Sequence, residues 1–296
     1  MSKKQKIIVV LGPTASGKSD LGVLLALRLN SGQAKKIFNI KGAEIISADS
    51  RQVYRGLDIG TGKITKREMK AISHHLLDVA SPKKQFSVTQ YQKLGKQAIS
   101  KIIKKGKIPI IVGGTGLYID SLIYDYPLPN VKPNPKLRKE LEKLSTEQLF
   151  TRLQKRDSRR AANIDSHNRP RLIRALEILS EGPIPSYESV LKKESPYDVI
   201  KIGIKKDPEE LKLLIKKRLE KRLRQGLVGE VENLLKKKLV SHKRLEELGL
   251  EYRYVSRHLR GEMTKKEMVE ALKKEIYKYA KRQMTWFKRD KEIRWI

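Results

Sequence analysis

Residues 12–19 read Gly-Pro-Thr-Ala-Ser-Gly-Lys-Ser, and no other stretch limits the possible folds of this chain so tightly. The octet fits G-x-x-x-x-G-K-[ST], a loop whose backbone N–H groups turn inward around an anion when a strand leads in and a helix leads out. Both flanks are present. Lys6-Ile7-Ile8-Val9-Val10-Leu11 is a β-branched run that reads as a buried parallel strand. Ser19 to Asn30 places Leu21, Leu24, Leu25, Leu27 and Leu29 at helical spacing. In such a loop Gly12, Pro13, Thr14, Ala15, Ser16, Gly17, Lys18 and Ser19 wrap a diphosphate or triphosphate. The Lys18 ammonium then meets the terminal phosphate and the Ser19 hydroxyl ligates Mg²⁺.

The sequence beyond the loop continues the alternation of strand and helix. Ala43 to Ile46 gives a second strand after the Ser31-Gly32 break, and Ser87-Val88-Thr89-Gln90 has capping-box spacing that opens a helix through Ile103. Lys107 to Val112 is a third strand. This order predicts an α/β fold, a P-loop nucleoside-triphosphate-hydrolase-like core with a parallel sheet flanked by helices. From Tyr126 to Tyr197 the pattern changes to a proline-marked start (Pro127, Pro129, Pro133, Pro135), strongly basic helical sequence, and Gly182-Pro183-Ile184-Pro185. We expect a helical insertion domain over 126–197, inside a core formed by 1–125 and 198–296. Val199 to Ile204 alternates like a returning sheet strand, and the rest is expected to be helical from Pro208 to the C-terminus. Thr264-Lys265-Lys266-Glu267 is a capping box for the last long helix. Its core stripe is Met268, Leu272, Ile276, Ala280, Met284 and Phe287, and Lys274, Lys278, Lys281 and Arg282 form a basic stripe.

The 66 Lys+Arg against 33 Asp+Glu give a formal charge of +33, far beyond what solubility requires, so a polyanionic partner is expected. With no cysteine, disulfides, thiolate metal sites and a Cys nucleophile are excluded. No run approaches membrane-spanning length, and Met1-Ser2-Lys3-Lys4-Gln5-Lys6 runs straight into a strand rather than a signal peptide. A soluble, cytoplasmic protein without membrane contact is the expectation. His74-His75 do not suggest a metal, because adjacent histidines point apart and no third ligand has useful spacing.

A P-loop nucleotidase also needs an acid at the end of a later apolar strand, to hold the metal. Here Ile108 to Val112 runs into Gly113-Gly114-Thr115-Gly116-Leu117-Tyr118, which offers a hydroxyl and no acid. Asp49, which follows the second strand in Ala48-Asp49-Ser50-Arg51-Gln52-Val53-Tyr54, is then the carboxylate at the ligand-binding edge of the sheet. Three roles are open to it: a helix N-cap, an outer partner of a bound magnesium, or a base taking a proton from a substrate nucleophile.

The octet, Ile46 to Tyr54, Asp58-Ile59-Gly60-Thr61-Gly62-Lys63, Val112 to Tyr118, Arg169-Pro170-Arg171-Leu172-Ile173-Arg174-Ala175-Leu176-Glu177 and Lys281-Arg282-Gln283-Met284-Thr285-Trp286-Phe287 together resemble the tRNA dimethylallyltransferase family, bacterial type. The likeness covers nearly all 296 residues in the right order. It implies transfer of the dimethylallyl group from dimethylallyl diphosphate to N6 of adenosine 37 in tRNAs reading codons that begin with U, without ATP consumption. It also implies Mg²⁺ as cofactor and the tRNA anticodon stem-loop as partner, and a monomer is the default expectation for an enzyme that grips one tRNA. In that family the carboxylate matching Asp49 is the general base, Lys18 stabilises the leaving diphosphate, and Thr115 matches a threonine able to donate to a diphosphate oxygen. Within Lys217 to Gly226, Arg222 is the arginine carried over to the diphosphate, with Arg218 in reserve. Contact with tRNA is carried over to Asp49, Ser50, Arg51, Gln52, Thr115, Arg138, Pro170, Arg171, Leu172, Ile173, Arg174, Lys281, Arg282 and Gln283. Arg171 and Arg174 share a helix face opposite Leu172, Ala175, Leu176 and Leu179. The chain departs from the family at Leu248-Gly249-Leu250-Glu251-Tyr252-Arg253-Tyr254, where many relatives read Gly-Tyr-Lys-Glu or Gly-Tyr-Arg-Gln. It also ends at Ile296 without the zinc-finger extension of eukaryotic relatives.

A P-loop kinase of a nucleoside or small metabolite explains the octet and Asp49 equally well, with Asp49 activating an acceptor hydroxyl. It leaves the basic insertion, the +33 charge and Gly113-Gly114-Thr115 unexplained. A noncatalytic RNA-binding P-loop protein leaves Asp49 without a task, and a relative that prenylates free adenine nucleotides would not need the large basic body.

Overall fold

The computed structural model describes residues 4–124, 128–129, 131–182 and 194–296. The chain divides into two compact units, Met1–Ile123 with Pro196–Ile296, and Tyr124–Ser195.

The first unit is built on a six-stranded sheet: β1 (Lys6–Leu11), β2 (Ala43–Ala48), β3 (His74–His75), β4 (Ile108–Gly113), β5 (Asp198–Gly203) and β6 (Arg294–Trp295). The order across the sheet is β3-β2-β4-β1-β5-β6 and every pairing is parallel. Parallel neighbours need crossovers, and the connections carry helices, long in α1 (Lys18–Leu29) and α4 (Val88–Lys104) and short in α2 (Gly32–Phe38), α3 (Lys66–Met69) and α5 (Gly116–Ile123). Ser87 and Gln90 close the capping box of α4 as their spacing predicts. The central strands β1, β2 and β4 are largely buried on both faces, so β1 and β4 are near-continuous apolar runs, while β2 buries Glu44 and Ser47 among its apolar residues. On α1 the buried positions are Gly22, Val23 and Ala26, and Leu21, Leu25, Leu27 and Leu29 are half-buried against the same core cluster, while Leu24 stands 47% exposed.

The second unit contains α6 (Pro135–Leu141), α7 (Thr146–Arg156), α8 (Ser158–Asn163) and α9 (Arg169–Leu179) around a core of Leu141, Leu149, Leu153, Leu172 and Leu176. Pro127 and Pro183-Ile184-Pro185, expected at the ends of the insertion, lie outside the described residues. The chain returns to the sheet at β5 and continues through α10 (Pro208–Arg224), α11 (Leu227–Lys236), α12 (His242–Leu248), α13 (Leu250–Leu259) and α14 (Lys265–Phe287). Thr264 and Glu267 form the capping box of α14, and Met268, Leu272, Ile276, Ala280 and Phe287 are buried. Gln283 is buried as well, whereas Met284, expected in the core stripe, is half-buried.

The expectation of helix up to the C-terminus is corrected. After α14 the chain turns back and β6 joins the sheet, pairing Arg294 with Ile202 and Trp295 with Gly203. Asp290 and Glu292 reach the buried Lys201 ammonium of β5 at 2.6 and 2.8 Å and hold the return in place. A two-residue strand carries no periodicity, so it is defined by contacts distant in sequence: this ion pairing, the backbone bonds between Gly203, Lys205 and Ile296, and the buried Ile293. No described helix is long and apolar enough to cross a membrane.

Candidate active site

Gly113 pairs in register with both Leu11 and Ala48. The segments that follow these strands therefore leave the sheet at one level, and the phosphate loop, Asp49 and the Gly114-Thr115 turn converge. Ala15 (φ 64°) and Gly17 (φ 87°) are left-handed, which curls the loop so that its amides face inward. Gly17 caps α1 without a side-chain hydrogen bond, leaving the first amides of that helix for an anion. Ser16 Oγ is buried without a partner among the described residues.

This loop opens on a cavity of about 980 Å³ lined by Lys18, Ser19, Arg218 and Arg222. Lys18 Nζ donates to the Pro13 carbonyl at 3.0 Å. Burial, and then the Arg218 guanidinium, lower its pKa from 10.5 to about 8. Burial and Arg222 likewise bring Arg218 down to about 10. A lowering of that size for Lys18 corresponds to roughly 3 kcal/mol of unfavourable charging, which a bound polyanion would recover. Arg218 donates to Thr14 Oγ1 at 2.9 Å, inside the loop itself. Arg222 is buried and pairs with Glu251 at 2.5 Å, while its Nε has no partner among the described residues. The reserve arginine is thus the one bonded to the loop, and both face the cavity.

Asp49 uses Oδ1 to accept from the amides of Arg51 (2.8 Å) and Gln52 (3.2 Å), so it shapes the turn that follows β2 and caps no helix. Both hydrogen bonds fall on one oxygen, which leaves Oδ2 for a substrate. A second cavity of about 350 Å³ lies beside the first, lined by Ser50, Arg51, Arg282 and the 247–254 segment. Thr14, Asp49, Thr61, Arg222 and Tyr279 line both cavities and form the wall between them. Asp49 is the carboxylate of that wall. Arg51 Nε holds the Leu248 carbonyl at 2.8 Å, and Gln52 Nε2 holds that of Gly62 at 3.2 Å. The segment departing from the family pattern therefore supplies a wall of the second cavity and, through Glu251, the partner of Arg222.

Thr115 accepts from the Ser50 amide at 3.1 Å and lines neither cavity. Tyr279, a residue the sequence reading did not single out, lines both cavities, and burial, then the Asp49 charge, push its hydroxyl up to about 12. Gln283, expected at the tRNA, is instead buried between loops. Its Oε1 accepts from the Thr14 amide and its Nε2 donates to the Gly114 carbonyl, each at 2.8 Å. A Cβ at Gly114 would come within 2.2 Å of Gln283 Nε2, which explains the glycine. Tyr279 and Gln283 are four apart on α14, and that helical spacing was the signal that could have found Tyr279. Glu230 of α11 was also missed. Its carboxylate accepts from the amides of Asp58, Ile59 and Gly60 and from the Tyr252 hydroxyl, fixing the Asp58–Lys63 turn beside the cavity. No group of three or more His, Cys, Asp or Glu suited to a metal occurs among the described residues.

In the second unit, Arg138 and Arg174 both pair with Glu177, whose side chain is fully buried. Their neighbours Leu172 and Ile173 belong to the core, so their side chains are not available at the surface, while Pro170 and Arg171 are exposed. On α14, Lys281 and Arg282 are exposed.

Residues 52–290, most of the chain, match the family model described as IPP transferase. The chain belongs to the IPP transferase family. Among similar IPP transferases, a tRNA dimethylallyltransferase of Pelotomaculum thermopropionicum is 39% identical over 301 residues, spanning 100% of this chain and 91% of the relative. One of Bacillus subtilis is 38% identical, spanning 99% and 91%. The full-length tRNA isopentenylpyrophosphate transferase of Bacillus halodurans superposes with a TM-score of 0.71 at 35% identity, over 99% of this chain and 90% of that one. A eukaryotic dimethylallyltransferase acting on tRNA gives 0.76 at 25% identity, over 96% and 70%. The six-stranded parallel sheet with its phosphate loop is thus the core fold of an IPP transferase.

Proposed function

We propose that this IPP transferase moves the dimethylallyl group of dimethylallyl diphosphate to N6 of adenosine 37 in tRNAs reading codons that begin with U. The observation that carries this reading is the shared wall: a cation-lined anion cavity and a second cavity meet at a wall whose one carboxylate is Asp49. In the step, the allylic C–O bond breaks and its electron pair stays on the leaving diphosphate, while the adenine N6 lone pair forms the new C–N bond. The N6 proton passes to Asp49 Oδ2. An adenine amine is a weak nucleophile because its lone pair is delocalised, so removal of that proton as the bond forms lowers the barrier. Lys18, Arg218, Arg222 and the loop amides oppose the charge that grows on the leaving oxygen.

Mg²⁺ fits this donor set, since Ser19 Oγ and diphosphate oxygens are hard oxygen ligands and Mg²⁺ ordinarily keeps waters in its remaining positions. When bound it would supply further neutralisation of the diphosphate. The anticodon stem-loop would meet the exposed Arg171 and Pro170 of α9 and Lys281 and Arg282 of α14, with the flipped base entering beside Ser50 and Arg51. Arg138 and Arg174, paired with Glu177, would serve as oriented phosphate donors. The protein would act as a cytoplasmic monomer gripping one tRNA. A kinase that uses the same loop is disfavoured by membership of the IPP transferase family.

Asp49→Asn tests the role of the carboxylate. Turnover should fall by about 10²-fold or more, the size of a lost general base, while tRNA affinity in filter binding stays within about twofold. Normal turnover with lost binding would assign Asp49 to recognition instead.

A further inference from the structure

We propose that Glu230 is a positioning residue for the leaving group: it fixes the Asp58–Lys63 turn, and that turn seats the Arg218 and Arg222 guanidinium groups relative to Asp49. This rests on the transferase reading. The amides of Asp58, Ile59 and Gly60 all donate to the Glu230 carboxylate, at 2.9, 2.6 and 3.0 Å. Successive amides turned to one side make an anion-holding concavity, filled here by a side chain of the protein itself. The Tyr252 hydroxyl donates to the same carboxylate at 2.9 Å, and burial, then the Glu230 charge, push its pKa up so that it stays a donor. Tyr252 also packs closely on the turn: a Cβ at Gly60 would come within 2.6 Å of its ring.

The same turn meets the arginines at Gly62. A Cβ there would overlap Nη2 of both Arg222 and Arg218, so the bare α-carbon lets two guanidinium groups lie against the backbone. The Gly62 carbonyl accepts from Gln52 Nε2 at 3.2 Å, and the Lys63 ammonium donates to the Tyr54 carbonyl at 2.8 Å. Both partners belong to the segment that follows Asp49, whose Oδ1 accepts from the Gln52 amide. One turn therefore touches the cations that stabilise the leaving diphosphate and the segment that carries the base. Arg218 and Arg222 lie on α10 and Glu230 on α11, joined through Gly226 (φ 97°), so the helix pair that supplies the arginines also returns the carboxylate that holds the turn they rest on.

The experiment uses the full-length enzyme with Glu230→Gln, Gly62→Ala and Tyr252→Phe, and repeats the first two in an Arg218→Ala/Arg222→Ala background. Glu230→Gln turns an amide NH₂ toward the amides of the turn. Calorimetry with inorganic diphosphate should then show affinity roughly tenfold weaker, the worth of one hydrogen bond to a charged group. In the same variant kcat should fall by about 10²-fold, the cost of a displacement of about 1 Å, while tRNA affinity in filter binding stays within about twofold. Gly62→Ala should give the same split between diphosphate and tRNA. Tyr252→Phe, which leaves the three amide bonds in place, should cost under about threefold. In the double-arginine background, Glu230→Gln and Gly62→Ala should each add under about threefold to the loss of diphosphate affinity, because residues that act through one another are not additive. A further loss of about tenfold there, or equal losses of diphosphate and tRNA affinity in Glu230→Gln, would make the role a general structural one and overturn the proposal. Wild-type diphosphate affinity and kcat in Glu230→Gln would overturn it too, as would wild-type values in Gly62→Ala should Glu230→Gln fail to fold. If the wild type transfers no dimethylallyl group, the transferase reading fails, and the calorimetric comparison still decides whether Glu230 acts through the two arginines.

Discussion

Lys18 enters the anion cavity with its charge already disfavoured. Its folded pKa of about 8 lies below the ordinary 10.5, so between those values the folded protein binds fewer protons than the unfolded chain, and stability rises with pH across that window. A bound diphosphate favours the ammonium and reverses the shift. Dimethylallyl diphosphate binding should therefore take up a proton above about pH 8 and weaken by up to about tenfold per pH unit beyond it. Calorimetry in two buffers of different ionisation enthalpy would measure the uptake, and a flat affinity from pH 7.5 to 9.5 would assign the anion to Arg218 and Arg222 alone. The Asp49 carboxylate was legible from sequence because it stands after a strand. Its division of labour, Oδ1 for the turn and Oδ2 for chemistry, was not, because a turn conformation has no residue signature of its own.

At the scale of elements, α14 does two things at once. Its apolar stripe packs the first unit, and one polar position, Gln283, bridges the phosphate loop to the turn after β4. Gln283→Ala leaves a buried amide and carbonyl unpaired and should lower unfolding free energy by about 2 kcal/mol, with weaker diphosphate binding; urea denaturation followed by tryptophan fluorescence checks it. Glu177→Ala should destabilise the 124–195 unit by about 3 kcal/mol, because Arg138 and Arg174 lose their buried counter-charge, and hydrogen exchange confined to α6 and α9 would report it. Elements with capping boxes and strong periodicity, α4, α14 and β1, β2 and β4, could be read from the residues. The two-residue strands β3 and β6 could not, nor could the Arg138–Glu177 pair, because each depends on contacts distant in sequence. The same limit explains why Tyr279 stayed hidden while Thr115, inside a recognisable turn, drew attention.

At the scale of the whole molecule, a charge of +33 governs the encounter with a polyanion. Affinity for tRNA should fall steeply with salt, by about 10²-fold or more between 50 and 200 mM for even a handful of phosphate contacts, and filter binding across that range checks it. The charge explains grip and not chemistry, and the chemistry rests on a wall between two cavities in which Asp49 faces an anion site built from a phosphate loop. Incubating the purified protein with Mg²⁺, unmodified tRNA and either dimethylallyl diphosphate or ATP, then weighing the nucleosides by mass spectrometry, tests that directly. The account predicts a dimethylallyl mass on one adenosine with dimethylallyl diphosphate and none with ATP; turnover of ATP alone, with the tRNA mass unchanged, would contradict it.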